Sequence, residues 1–181
     1  MYKNYLLNAC VLVPKFDDFN NPYTIIVTSN GYERVNLTPS QLIDTDLKEN
    51  GSSLKGAKEA AKAMLGTASV PPILIPRLPF SHVWFSTEST RNKTCHYFAL
   101  HHVVDAKEKT FLPGETIVFL RNGRNIEVPV SRSKFMQRWN KASSYFLKDF
   151  FKQYISQPRY LKAEEKLLLK CAEVNENYLV D

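Results

Sequence analysis

Thr116-Ile117-Val118-Phe119-Leu120-Arg121-Asn122-Gly123-Arg124-Asn125-Ile126-Glu127-Val128-Pro129-Val130 is the stretch whose reading decides the fold. Two runs rich in β-branched residues flank Asn122-Gly123, and such a pair suits a two-residue type I′ turn, because both central residues of that turn need positive φ. The expectation is a β-hairpin from Thr116 to Leu120 and Asn125 to Val130, with Arg121 and Arg124 beside its tip. Upstream, Tyr5 to Val13 and Tyr23 to Thr28 also read as strands. The second is followed by the turn cluster Ser29-Asn30-Gly31 and a hairpin partner from Tyr32 to Leu37. His82 to Phe85 and Thr94 to Val104 read as two more. Val70 to Pro79 carries four prolines, which exclude a helix or a central strand and leave a connector or an edge.

Helical periodicity appears in three places. Ser52 or Ser53 can cap a helix in which Leu54, Ala57, Ala61 and Leu65 share a face, Lys55, Lys58 and Lys62 lie on an adjacent one, and Gly66 stops the run. From Ser133 as cap, Phe135, Met136, Trp139, Ser143, Phe146 and Phe150 follow helical spacing, and at this spacing the aromatics read as core rather than as base-stacking groups. A last helix is expected from Leu161 to Val174. Together these elements give an α+β fold: a β-rich, mostly antiparallel single domain with a basic helix after the N-terminal strands and helices at the C-terminus. The boundaries read from the sequence are 1–156 for that domain and 157–181 for a helical segment packed on it or used for partner contacts.

The 181 residues suffice to bury a core. Their formal charge of +6 is unevenly placed, at −2 over 1–50, +4 over 51–100, +4 over 101–150 and zero over 151–181. A basic centre between acidic and neutral flanks reads as one cationic surface for a polyanion. Three scattered cysteines suggest reduced thiols and a cytoplasmic protein, which a nucleic-acid partner would place at the nucleoid, and no apolar run approaches the ~20 residues needed to span a bilayer. No signal peptide is read at the N-terminus.

Two catalytic motifs were tested and set aside. Gly51-Ser52-Ser53-Leu54-Lys55-Gly56-Ala57-Lys58 resembles a phosphate-binding loop, but Ala57 stands where the lysine must be and Glu59, not Ser or Thr, follows Lys58, so nucleotide hydrolysis does not fit. Cys95, His96, His101 and His102 resemble metal ligands. On one extended strand, however, Cys95 and His101 would lie about 20 Å apart, and His101 and His102 would face opposite ways. No metal, no cofactor and no enzymatic role are expected. Two other classes stay open: an RNA or single-strand binder stacking bases on Trp84, Tyr97 or Phe98, and a small enzyme using His101 or His102 as a general base.

A series of motifs in fixed order resembles one bacterial family. Gly51-Ser52-Ser53, Pro71-Pro72-Ile73, Ser89-Thr90-Arg91, Cys95, Tyr97-Phe98, His101, Val118-Phe119, Asn122-Gly123 and Val128-Pro129-Val130-Ser131 together are similar to the competence transcription factors called ComK, over about residues 51 to 146. The resemblance implies a DNA-binding transcriptional activator of genes for DNA uptake, acting as a homodimer or larger assembly on A/T-rich boxes of double-stranded DNA, largely through the minor groove. It also implies turnover through a proteolytic adaptor and a Clp-type protease. On this reading Arg121 and Arg124 insert at the groove with Arg91 next, and Asn122 and Lys93 are DNA-binding beside them. Lys55, Lys58 and Lys62, together with Arg132, Lys134, Arg138 and Lys141, contact phosphates.

Overall fold

The protein is described from a computed structural model that covers residues 5–66, 69–77 and 81–155. The chain forms two compact units, Met1–Phe146 and Leu147–Asp181. In the first, six strands make an antiparallel sheet in the order β3-β2-β1-β6-β5-β4: β1 Ala9–Phe16, β2 Pro22–Thr28, β3 Tyr32–Val35, β4 Ile73–Ile75, β5 His82–Ser86 and β6 Tyr97–Ala99. Three more, β7 Val103–Glu108, β8 Thr116–Leu120 and β9 Asn125–Val128, make a second antiparallel sheet. The helices are α1 Pro39–Glu49, α2 Leu54–Leu65 and α3 Arg132–Phe150. The α+β, β-rich reading therefore holds. In the second unit, the Gln153 amide donates to both carboxylate oxygens of Asp149 at 2.9 and 3.0 Å. The helix expected from Leu161 to Val174 lies outside the described residues.

Alternation along the strands sends side chains to two cores. Leu12, Ile26, Trp84, Tyr97 and Ala99 pack with Leu42, Ile43 and Leu47 of α1. Val11, Val27, Phe85 and Phe98 pack with the three-stranded sheet and with Phe135, Ala142 and Tyr145 of α3. A register shift between Ala9 and Val11 is the reason that Cys10 and Val11 both join this second core. The Phe135 ring meets Phe85 and Phe98 edge-on at 5.5 and 5.4 Å, the geometry that ring quadrupoles favour.

The proline-rich stretch resolves as an edge: β4 is the outermost strand, paired on one side only. Ser53 caps α2 by accepting the Gly56 N–H at 3.1 Å, and Gly66 ends it in the left-handed region at φ 65°. Three expectations change. Asn122 does not share the positive φ of Gly123, so the tip is a three-residue loop in which Gly123 N–H donates to Leu120 O at 3.0 Å and Gly123 alone is left-handed. Thr94 to Val104 is not one strand. It is β6, a 3-10 turn over Leu100–His102, and the start of β7 in the other sheet. The serine that precedes α3 is Ser131, not Ser133: its carbonyl accepts the Phe135 N–H at 3.0 Å.

Helix α1 was not anticipated, although Thr38-Pro39-Ser40-Gln41 carries its signal. Thr38 and Gln41 form a reciprocal capping box and Pro39 occupies the first turn. Its Asp46 is buried against Arg77, whose Nη2 donates to both carboxylate oxygens at 2.7 and 2.8 Å. Truncating the ring that joins α3 to the main sheet should be costly: Phe135→Ala is expected to lower stability by about 3–5 kcal/mol in urea unfolding. A loss under ~1 kcal/mol would mean that the site collapses around the missing ring and that α3 is not held by it.

Candidate nucleic-acid interface

At one end of the six-stranded sheet, the β1 and β2 ends (Lys15, Phe16, Tyr23), the start of α1 (Thr38, Ser40) and the β5–β6 connection (Thr90, Arg91, Asn92, Lys93) line a cleft of about 290 Å³. Among the described residues, Lys15, Arg91 and Lys93 are its charged lining and no carboxylate lines it. All three are exposed. The connection that carries Arg91 and Lys93 is held in shape by Glu88, whose carboxylate accepts from Asn92 Nδ2 at 3.1 Å and Thr94 Oγ1 at 3.0 Å. Its backbone carbonyl accepts the Cys95 thiol at 3.4 Å. The Lys93 ammonium lies 5.4 Å over the Phe16 ring.

A second cleft shares Ser40 with the first and is lined by Gln41, Asp44, Leu54, Lys55 and Lys58. Its one carboxylate is engaged: Asp44 accepts the Leu54 N–H at 2.8 Å and pairs with Lys48 at 2.7 Å, and these bonds hold its pKa below the usual value. Lys58 donates to Thr90 Oγ1 at 3.3 Å, joining α2 to the Arg91 loop. Burial, together with the Lys62 charge, lowers its pKa. The structure thus brings Lys55, Lys58, Arg91 and Lys93 to one cationic groove and adds Lys15, with the exposed Lys62 two turns further along α2. Lys15 carries no local motif; only its position at the end of a strand that stops before Asp17-Asp18 hinted at a surface role.

The hairpin tip lies at the other end of β1. Asn122 Nδ2 donates to Thr28 O at 3.2 Å and approaches Cys10 Sγ at 3.9 Å, while its side-chain oxygen accepts the Arg124 N–H at 3.1 Å. The Arg124 guanidinium lies 4.4 Å over the Tyr32 ring. Arg121 is exposed, but its Nε donates to His101 O at 3.2 Å and its N–H to His102 O at 2.8 Å. On α3, Arg132 donates from Nε to Ala106 O at 2.7 Å, Lys134 is exposed and Lys141 half-buried. Arg138 turns Nε and Nη1 inward, where neither meets a hydrogen-bond partner. The twelve candidates therefore occupy three places: the groove, the tip and α3. Trp84, Tyr97 and Phe98 are fully buried, so none of them can stack a base.

The 3-10 turn also changes the histidines. His101 and His102, expected on opposite faces, have ring centroids 4.2 Å apart, and His82 lies 4.8 Å from His101. Desolvation, reinforced by mutual repulsion and by Arg121, holds the His101 imidazole well below its ordinary pKa. His82 and His102 are lowered in the same direction, chiefly by desolvation.

These features define a small α+β domain with a cleft on its main sheet whose charged lining, among the described residues, is cationic. Residues 3–153 match the family described as ComK protein, and the chain belongs to that family. It is 29% identical over 102 residues to the competence transcription factor of Bacillus subtilis (strain 168). The match covers 56% of this chain and 51% of that protein, so the chain spans about half the length of its curated relative. No solved structure matches it. Among the described residues no helix is long and apolar enough to cross a membrane.

Lowered histidine pKa values set a direction for stability. The folded protein resists protonation at His82, His101 and His102, so the unfolded chain takes up more protons between the ordinary value near ~6.5 and the lower folded ones. Stability from these groups is present above that value and is lost as pH falls through the window. The urea midpoint should drop from pH 7 toward pH 5, and His101→Gln should flatten the drop; an equal drop in the variant would remove His101 as a cause. Separately, Asn122→Ala should cost about 1–2 kcal/mol in urea unfolding by releasing the tip from Thr28 and Cys10.

Proposed function

We propose that the protein is a DNA-binding transcriptional activator of genes for DNA uptake and transformation. It engages A/T-rich boxes through the minor groove as a dimer or larger assembly, with turnover through a proteolytic adaptor and Clp-type protease. The observation that carries the DNA reading is the cleft of Lys15, Arg91 and Lys93, without a carboxylate among the described residues and next to the cleft of Lys55 and Lys58, in a member of the ComK family. Cations of this kind neutralise backbone phosphates and release counterions whatever the base sequence. Selectivity for A/T falls to arginine in a narrow groove, whose negative potential is deepest there. Arg121 is the first choice because it is exposed beside the tip with its Nε bonded to His101 O, while Arg124 is half-buried and lies over Tyr32.

The roles separate in binding titrations on an A/T-box duplex and a G/C-rich duplex at two salt concentrations. The double variant Arg91→Gln, Lys93→Gln should weaken both duplexes alike and reduce the salt slope by roughly 1–2. Arg121→Ala should cost about 1–3 kcal/mol on the A/T duplex and narrow the preference between the two. Unchanged affinities and slopes in both variants would place the DNA surface elsewhere.

A further inference from the structure

Strands β7 and β8 are joined by Thr110-Phe111-Leu112-Pro113-Gly114, every residue of which is exposed, Phe111 at 90% and Leu112 at 49%. This loop has a built shape. Lys109 N–H donates to Glu115 O at 3.0 Å, Leu112 N–H to Lys109 O at 3.3 Å and Glu115 N–H to Leu112 O at 3.2 Å, with Gly114 at φ 95°. At its base the Lys109 ammonium pairs with Glu115 at 3.2 Å and Glu127 at 2.6 Å. An aromatic and an aliphatic side chain are therefore held out in water on an ordered, convex, uncharged tip. Such an arrangement marks a contact surface more than a solvated turn.

The same unit carries a concave counterpart. His82 and Val83 of β5, Leu100 and His101 of the 3-10 turn, and Trp139 and Ser143 of α3 line a cleft of about 470 Å³ whose surface is mostly apolar. Two apolar side chains fit a volume of that size. The titratable groups on its rim are His82 and His101, both pushed toward the neutral form by desolvation, so an apolar guest meets no charged imidazole at neutral pH. The cleft of Lys15, Arg91 and Lys93 sets three exposed cations around its lining and so suits an apolar guest less.

Tip and cleft cannot meet within one chain. Leu100 and His101 precede β7 and the tip follows it, so the six residues of that strand hold them roughly 17–20 Å apart. A two-fold contact of tip on tip would bury little area and leave the cleft unfilled. The geometry points to a head-to-tail contact between two copies of this chain, in which Phe111 and Leu112 of one enter the Val83, Leu100 and Trp139 cleft of the next. Such a heterologous contact leaves a tip and a cleft open at its ends and so can extend beyond two copies. The other outstanding aromatic, Phe19 at 87% exposure, follows Asp17 and Asp18 and would carry carboxylates into any apolar contact. The inference rests on the self-association in the proposed function and is independent of its DNA chemistry.

Complementation tests it, using sedimentation velocity on the purified full chain without DNA. Wild type should form species that grow past dimers as concentration rises, and Phe19→Ala should do the same. Phe111→Ser removes the tip and Ser143→Arg places a charge in the cleft; each alone should stay monomeric with an unchanged circular dichroism spectrum. Mixed in equal amounts, the two should form a dimer and nothing larger, because one intact tip meets one intact cleft. A wild type that stays monomeric overturns the inference and leaves the cleft to another occupant, such as residues beyond 155 or a small apolar ligand. A mixture that stays monomeric, or a Phe111→Ser chain that still assembles, overturns it equally. Failure of the DNA reading would appear elsewhere, as a wild type that assembles but does not prefer the A/T duplex.

Discussion

The chain leaves its six-stranded sheet at Ala99 and enters the three-stranded one at Val103, and the single turn of Leu100–His102 has to hold both. Two carbonyls of that turn would be left without strand partners. They are taken by Arg121, through its N–H to His102 O and its Nε to His101 O. The next residue, Asn122, crosses to Thr28 at the end of β2. One hairpin tip thus ties the crossover to both sheets. Phe135 completes the joint by packing edge-on against both Phe85 and Phe98. Backbone groups at a crossover must find partners or carry a desolvation cost, so the identities of Arg121 and Asn122 are constrained before any ligand is considered.

That constraint separates two kinds of cation. Arg124 over Tyr32, Arg132 on Ala106 O and Arg138 turned inward are committed to the fold in whole or part. Lys15, Arg91, Lys93 and Lys55 are exposed around clefts, and their neighbouring carboxylates are engaged with other groups: Asp44 with Leu54 and Lys48, Glu88 with Asn92 and Thr94. Exposed cations lose little on meeting a phosphate, whereas a buried guanidinium would first have to give up its packing. The positive block of residues 51–150 is therefore not one surface. Its freest part is the groove beside α1 and α2.

Local chemistry explains which features were legible. The strands were readable because apolar and β-branched runs end at Gly, Pro and Asn, and the cap and stop of α2 stand at Ser53 and Gly66 in plain order. The hairpin was found for the right reason but with the wrong turn, since Asn122 gives up positive φ to bond across to Thr28. The break at Leu100–His102 had no Gly or Pro to announce it; tertiary demand for a second sheet overrode strand propensity there. The same break brought three histidines together that an unbroken strand would have dispersed. Lys15 joined the groove only through pairing of β1 with β2, a long-range fact that no window of sequence contains.

Separation along β1 bears on how one ligand could use both ends of the sheet. Cys10, beneath the Asn122 tip, and Pro14, at the edge of the groove, are four residues apart on one strand, about 13 Å at ~3.3 Å per residue. A minor groove is only ~6 Å wide, so a residue inserted from the tip and cations gripping from the groove must meet different parts of a duplex, one reading its groove and the others its flanking backbone. Under the proposed function that distance would divide the labour, with orientation supplied by phosphates and selectivity by a single insertion. A protein with all its cations at one tip would bind more sharply to any polyanion and discriminate less between them.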